Sequence, residues 1–141
     1  MKIKLESVYI SDLDKALAFY TDILGFVKKR DDPMGDTRFV TLVSPEEPDG
    51  TELLLEPNGE HPATKAYKKA IYEEGLPLTA FQVDDVESEC ARLKSLGVRI
   101  HSEPQHYDTE VTAIFDDTCG NLVVPHTNRC MILGNGRSPR Q

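Results

Sequence analysis

Between Ser11 and Phe26 the chain reads SDLDKALAFYTDILGF, and apolar residues recur every three or four positions: Leu13, Ala16, Leu17, Tyr20, Ile23 and Leu24. That spacing gathers them on one side of a helix and leaves Asp14, Lys15, Thr21 and Asp22 mainly on the other. Asp12 suits the N-cap, where a carboxylate accepts a first-turn N–H and meets the positive end of the helix dipole. Gly25 follows the last periodic residue, where the chain must turn left-handed to stop. The design returns in DVESECARLKSLGV, residues 85–98, with Val86, Cys90, Leu93 and Leu96 as the stripe and Gly97 as the stop. β-like runs precede both helices, VYIS and FQVD, and two further runs with a glycine-led strand follow each. A period of about 70 residues is too long for a solenoid repeat and suits a duplicated module.

Taken in order, the pattern predicts a strand over residues 3–10, the first helix, a strand over 26–30, and a turn at residues 31–35. The β-rich run RFVTLV follows over 38–43, then a hairpin loop, SPEEPDG, and a strand over 52–56. Residues 63–74 read as a helical connector with a thin apolar stripe, which places it on the outside. The second module repeats the order: strand 78–83, helix, strand 99–103, a loop over 104–108, and strands 111–115 and 122–124, the last cut short by Pro125. The expected organisation is a βαβββ module over 1–60, a connector over 61–76, a second βαβββ module over 77–127, and a polar tail over 128–141. This is an α+β chain.

At 141 residues the chain is long enough to bury a substantial core. No apolar run approaches the roughly 18 residues of a membrane span, and the start, MKIKLESVYI, is too charged for a signal peptide, so a soluble protein is expected. Cys90, Cys119 and Cys130 are odd in number and lack a metal or redox spacing, which favours a reducing, cytoplasmic setting; Cys90 reads as helix core. The net charge of −8 is uneven. Three arginines and no acid fall in 128–141, leaving the first 127 residues at −11. That balance argues against nucleic acid and anionic membranes as partners and admits cationic small molecules.

The two capped helices, RFVTLVSPEEPDGTELLLEP, and the turn FDDTCGN resemble the vicinal-oxygen-chelate superfamily of glyoxalase I, extradiol dioxygenases and bleomycin-resistance proteins, over nearly all of residues 1–127. The turn looks like the family's D-P-x-G-N, with Thr118 in place of proline. The resemblance implies two modules that form a curled mixed sheet around a central cleft, with the helices outside, and a habit of forming homodimers. It also implies where a divalent ion sits: one ligand on the first and one on the last strand of each module. Those positions fall on Leu5, Glu52, Leu78 and Val124, where the metal enzymes carry His, Glu, His and Glu. Three aliphatic side chains supply no lone pair, and one carboxylate does not hold an ion that takes four or more ligands. Neither a metal nor any other cofactor is therefore expected.

In that register Leu5, Ser7 and Tyr9, then Glu52, Leu54 and Glu56, face the cleft from the first module. Leu78, Ala80 and Gln82, then Leu122, Val124 and His126, face it from the second, with Phe39 and Tyr107 at its margin. The lining is mostly aliphatic with a few polar groups, as in small-molecule pockets. A lone buried charge is costly, so Glu52 calls for a cation, and an amine-bearing aromatic ligand suits it. The expectation is a dimeric, metal-independent binder of a small organic molecule. Three alternatives stay open: Glu52 pairs internally with Arg38; Glu52, Glu56 and His126 build a displaced metal site for a lyase, isomerase or dioxygenase; or the cleft is closed and the module is structural. No catalytic residue is assigned.

Overall fold

Both helix-and-strand units form in the computed structural model, which describes residues 1–128. The first comprises β1 (Leu5–Tyr9), α1 (Leu13–Ala18), β2 (Val27–Met34), β3 (Thr37–Val43) and β4 (Glu52–Glu56). After the connecting α2 (Pro62–Glu73), the second comprises β5 (Thr79–Gln82), α3 (Val86–Ser95), β6 (Ile100–His106), β7 (Glu110–Asp116) and β8 (Leu122–Asn128). The strands make two four-stranded sheets of matching order, β1-β4-β3-β2 and β5-β8-β7-β6. In each, the first and last strands of the module pair in parallel and the other neighbours antiparallel. The fold is α+β, and no helix among the described residues is long and apolar enough to cross a membrane.

The caps act as their residue types dictate. The Asp12 carboxylate accepts the Lys15 N–H at 3.0 Å, and Asp85 accepts the Ser88 N–H at 2.8 Å. The latter bond holds the Asp85 carboxyl below its usual range. The first helix does not remain α-helical. Residues Phe19–Ile23 widen into a π-helical turn, with the Leu24 N–H reaching five residues back to the Phe19 carbonyl. Consecutive residues Phe19 and Tyr20 are thereby both buried.

The three largest boundary differences from the sequence expectation all fall at prolines. β2 runs on through Pro33 to Met34, and the reversal is the pair Gly35-Asp36, with Gly35 at φ +57°. β6 likewise passes through Pro104 and ends at His106. Both are outer strands, where a missing backbone N–H leaves no inner ladder broken. Pro125 does not end β8, an inner strand that continues to Asn128. There the ladder to β7 steps from Phe115↔Val123 to Thr112↔His126 without a pair at Pro125, while the β5 side keeps Phe81↔Pro125. The expectation for the 128–141 tail lies, beyond Asn128, outside the described residues.

The core is continuous through both modules. Val8, Ile10, Leu53 and Leu55 turn inward beneath Ala16 and Tyr20, and the same cluster takes in Leu93, Phe115 and Val123. Polar bonds cross the same seam. Asp117 is fully buried, and its carboxylate accepts the Tyr20 hydroxyl at 2.7 Å, the Cys119 and Asn121 N–H groups at 2.7 and 2.9 Å, and the Asn121 amide at 2.8 Å. Burial, reinforced by that carboxylate, drives the Tyr20 pKa well up, so the hydroxyl remains a donor. From α2, Lys68 reaches in at 8% exposure and its ammonium donates to the Tyr9 and Cys119 carbonyls at 2.8 and 2.7 Å. Replacing Tyr20→Phe removes one of four donors to a buried charge. We expect a loss of about 1.5–3 kcal/mol in urea unfolding; a loss under about 0.5 kcal/mol would show that the bond does not hold the seam.

Candidate ligand-binding site

Strand alternation divides the first sheet between two surfaces. Val8, Ile10, Leu53 and Leu55 go to the core, so Leu5, Ser7 and Tyr9 of β1 take the other face. The parallel register sets Leu5 beside Glu52, Ser7 beside Leu54 and Tyr9 beside Glu56. Leu54 and Thr41, paired across β3 and β4, form a buried floor on this face. Glu52, Glu56, Tyr9 and Phe39 stand half-buried around it, and Leu5 is 45% exposed. The Glu52 carboxylate accepts the Thr41 hydroxyl at 2.6 Å. Arg38, the internal partner weighed for Glu52, goes to Asp31 at 2.8 Å and Asp14 at 3.2 Å instead. The Arg30 guanidinium lies 4.8 Å over the Phe39 ring, so this face already holds one cation against an aromatic surface.

In the second sheet Val124 pairs with Ala80 and His126 with Gln82, which puts these four on one face. Val124 and His126 are half-buried, and Gln82 is exposed. Leu78, just before β5, donates its N–H to the Leu122 carbonyl and packs its side chain against the hydrophobic core. Tyr107 is 55% exposed in the turn between β6 and β7. The site residues thus form one set on the first sheet and a second on the other, with Glu52 and Gln82 meeting in a common cavity wall.

The donor chemistry at the four family positions does not fit a divalent ion. Leu5, Leu78 and Val124 carry only hydrocarbon, and Glu52 is a single carboxylate already accepting from Thr41. Among the described residues no three or more His, Cys, Asp and Glu side chains gather as a metal would need, Glu52, Glu56 and His126 included.

The seam between the modules holds a feature that the sequence reading did not anticipate. Two adjoining cavities, about 420 and 400 Å³, share the wall residues Phe26, Ser44, Glu46, Phe81, Gln82 and Asp84. Phe26 and Phe81 meet edge to face with ring centres 4.9 Å apart. Strand alternation puts Phe81 opposite Ala80 and Gln82, on the core side, and the docking of the two modules opens space beside it.

With this geometry in hand, comparison with known proteins is direct. The model of the Glyoxalase/Bleomycin resistance protein/Dioxygenase superfamily matches residues 3–124, and the chain belongs to that superfamily. It is 56% identical over 123 residues to the uncharacterized protein YurT of Bacillus subtilis (strain 168), across 87% of this chain and 96% of that one. It is 29% identical over 117 residues to a probable lactoylglutathione lyase of Synechocystis sp. (strain ATCC 27184 / PCC 6803 / Kazusa), across 80% and 85% of the two chains. Among solved structures, TnmS3, an antibiotic binding protein from Streptomyces sp. CB03234, superposes with a TM-score of 0.71 at 28% identity, covering 91% of this chain and 96% of that one.

The Thr41 bond gives Glu52 a partner that an amide would also satisfy. Glu52→Gln keeps a carbonyl oxygen for the hydroxyl, so its stability in urea should stay within about 1 kcal/mol of the parent. A larger loss would mean that the charge itself is structural.

Proposed function

We propose that the protein binds a small organic molecule through its own side chains, with no divalent ion at the four family positions. The observation that carries this reading is the replacement of three of four donors by Leu5, Leu78 and Val124, beside a surviving Glu52. A face with Leu54 and Thr41 as its floor, two half-buried carboxylates and two aromatic rings offers apolar contact together with a few orienting polar groups. The carboxylates favour a ligand with a positive group on an aromatic body, the arrangement that Arg30 and Phe39 already make within the chain. Leu5, Ser7, Tyr9, Phe39, Glu52, Leu54 and Glu56 would meet it from the first sheet, and Gln82, Val124, His126 and Tyr107 from the second, while Leu78 is taken up by the core. The likeness to an antibiotic binding protein supports the same class of ligand. The working form is a homodimer in the cytoplasm, on the strength of the family's habit and of the free thiols Cys90 and Cys119.

The likeness to a probable lactoylglutathione lyase favours a second reading, an enzyme whose metal site has moved. Its best donors stand apart on two sheets: Glu52 and Glu56 beside β1, His126 beside β5.

Thermal denaturation against a panel of cationic aromatic antibiotics, metal-free bleomycin among them, tests the first reading. A ligand at a hundred times its Kd adds about 2.7 kcal/mol, which raises Tm by several degrees. The gain should persist in chelator and shrink in Phe39→Ala and Glu56→Gln. No shift across the panel, or a shift that appears only with added divalent ion, would overturn it.

A further inference from the structure

The groove between the modules adjoins the sheet faces at Glu52 and Gln82, but its aromatic and acidic walls are its own. One wall is the end of the first helical segment, residues 22–26, and the opposite wall is β5 with Glu89 and Arg92 from the middle of α3. Its floor is aromatic: Phe81 meets Phe26 edge to face at 4.9 Å, and the buried Tyr20 edge to face at 6.5 Å. The groove also has a marked charge sign. The two cavities together are lined by seven carboxylate side chains and a single cationic one, Arg92. That guanidinium is already held by Glu89 on its own helix, at 3.0 Å through Nε. The first helical segment presents its C-terminal end here, and a helix C-terminus carries the partial negative charge of its last carbonyls. Gly25, at φ +83°, has nothing within 4 Å of where a Cβ would stand, so the helix end stays open on this side.

We propose that this groove is a second binding site, for an organic cation with a flat aromatic body such as a quaternary or protonated heteroaromatic amine. The rings of Phe26 and Phe81 take the flat body, and the carboxylates of Glu46 and Asp84, which border both cavities, take the charge. A neutral ligand of the same shape leaves these acids uncompensated, and an anion is repelled by them. Phe26 and Ser44 come from the first module and Phe81 and Asp84 from the second, so an occupant bridges the two. The site goes beyond the proposal for the sheet faces: Glu52 and Gln82 border both, but Phe26, Phe81, Glu46 and Asp84, on which this site rests, have no part in that one.

Ethidium, a fluorescent quaternary heteroaromatic cation, is a suitable probe, with the anion fluorescein as its counterpart. Titrated into the full chain at low salt, ethidium should bind below about 1 mM and weaken as salt is raised, while fluorescein should not bind. Glu46 and Asp84 are both exposed, so Glu46→Gln combined with Asp84→Asn leaves the core intact. That double variant should bind ethidium about tenfold more weakly. Phe39→Ala with Glu56→Gln, which removes no groove residue, should leave the dye's occupancy of the groove, read as ring-proton shifts of Phe26 and Phe81, unchanged. Ring-proton NMR shifts at Phe26 and Phe81 on titration would place the dye in the groove. Absence of ethidium binding, or binding that the Glu46/Asp84 variant leaves unaltered, overturns this site. If only the Phe39/Glu56 variant loses the dye, the groove is refuted while the sheet-face reading stands.

Discussion

The buried carboxylate of Asp117 is the constraint on which the two modules depend. An unpaired charge at zero exposure is costly, and this one is tolerated because four donors converge on it. Three of those donors come from its own turn. The fourth, the Tyr20 hydroxyl, comes from the other module, so the carboxylate is fully served only when the halves are docked. Lys68 adds a tie from α2, joining the Tyr9 carbonyl of one module to the Cys119 carbonyl of the other. Its burial pulls the ammonium pKa down from the usual lysine value, which shows that the position is held against a desolvation penalty. The same burial, with Asp117 nearby, pushes the Cys119 thiol up to about 11, so this cysteine stays protonated and unreactive.

That docking fixes what the surfaces offer. The π-helical turn turns Phe19 and Tyr20 both inward, and it leaves Phe26 at the seam against Phe81. The groove opens there. On the outer side of the first sheet, the register that sets Leu5 beside Glu52 decides the chemistry. Where family metal enzymes bring nitrogen and oxygen donors together, this chain sets aliphatic carbon next to one carboxylate, and Thr41 satisfies part of that carboxylate's demand.

Much of the fold was legible because its signals are local. Capping aspartates, stop glycines and three-four spacing located all three helices to within a few residues, and alternation along ELLLE separated core from outer face correctly at Leu53 and Leu55. Errors clustered at Pro33, Pro104 and Pro125, because whether a strand tolerates proline depends on which neighbour its missing N–H would have faced. That is a property of sheet order, which no local window contains. The site was legible only in part. Residues of one strand could be assigned to a face, and the absence of donors could be read directly. Tyr20 looked like one more apolar stripe residue, since its hydroxyl partner lies in the turn at Asp117, far along the chain. The Phe26–Phe81 groove is likewise made by residues distant in sequence whose meeting no periodicity announces.

The central claim is that hydrocarbon stands where the family's metal enzymes bind their ion. Anomalous X-ray scattering tests it most directly, on crystals grown without chelator and soaked in manganese, nickel or zinc salts. The account predicts no anomalous peak within bonding distance of Glu52 at millimolar ion. An ordered peak there with further protein ligands around it would contradict the account.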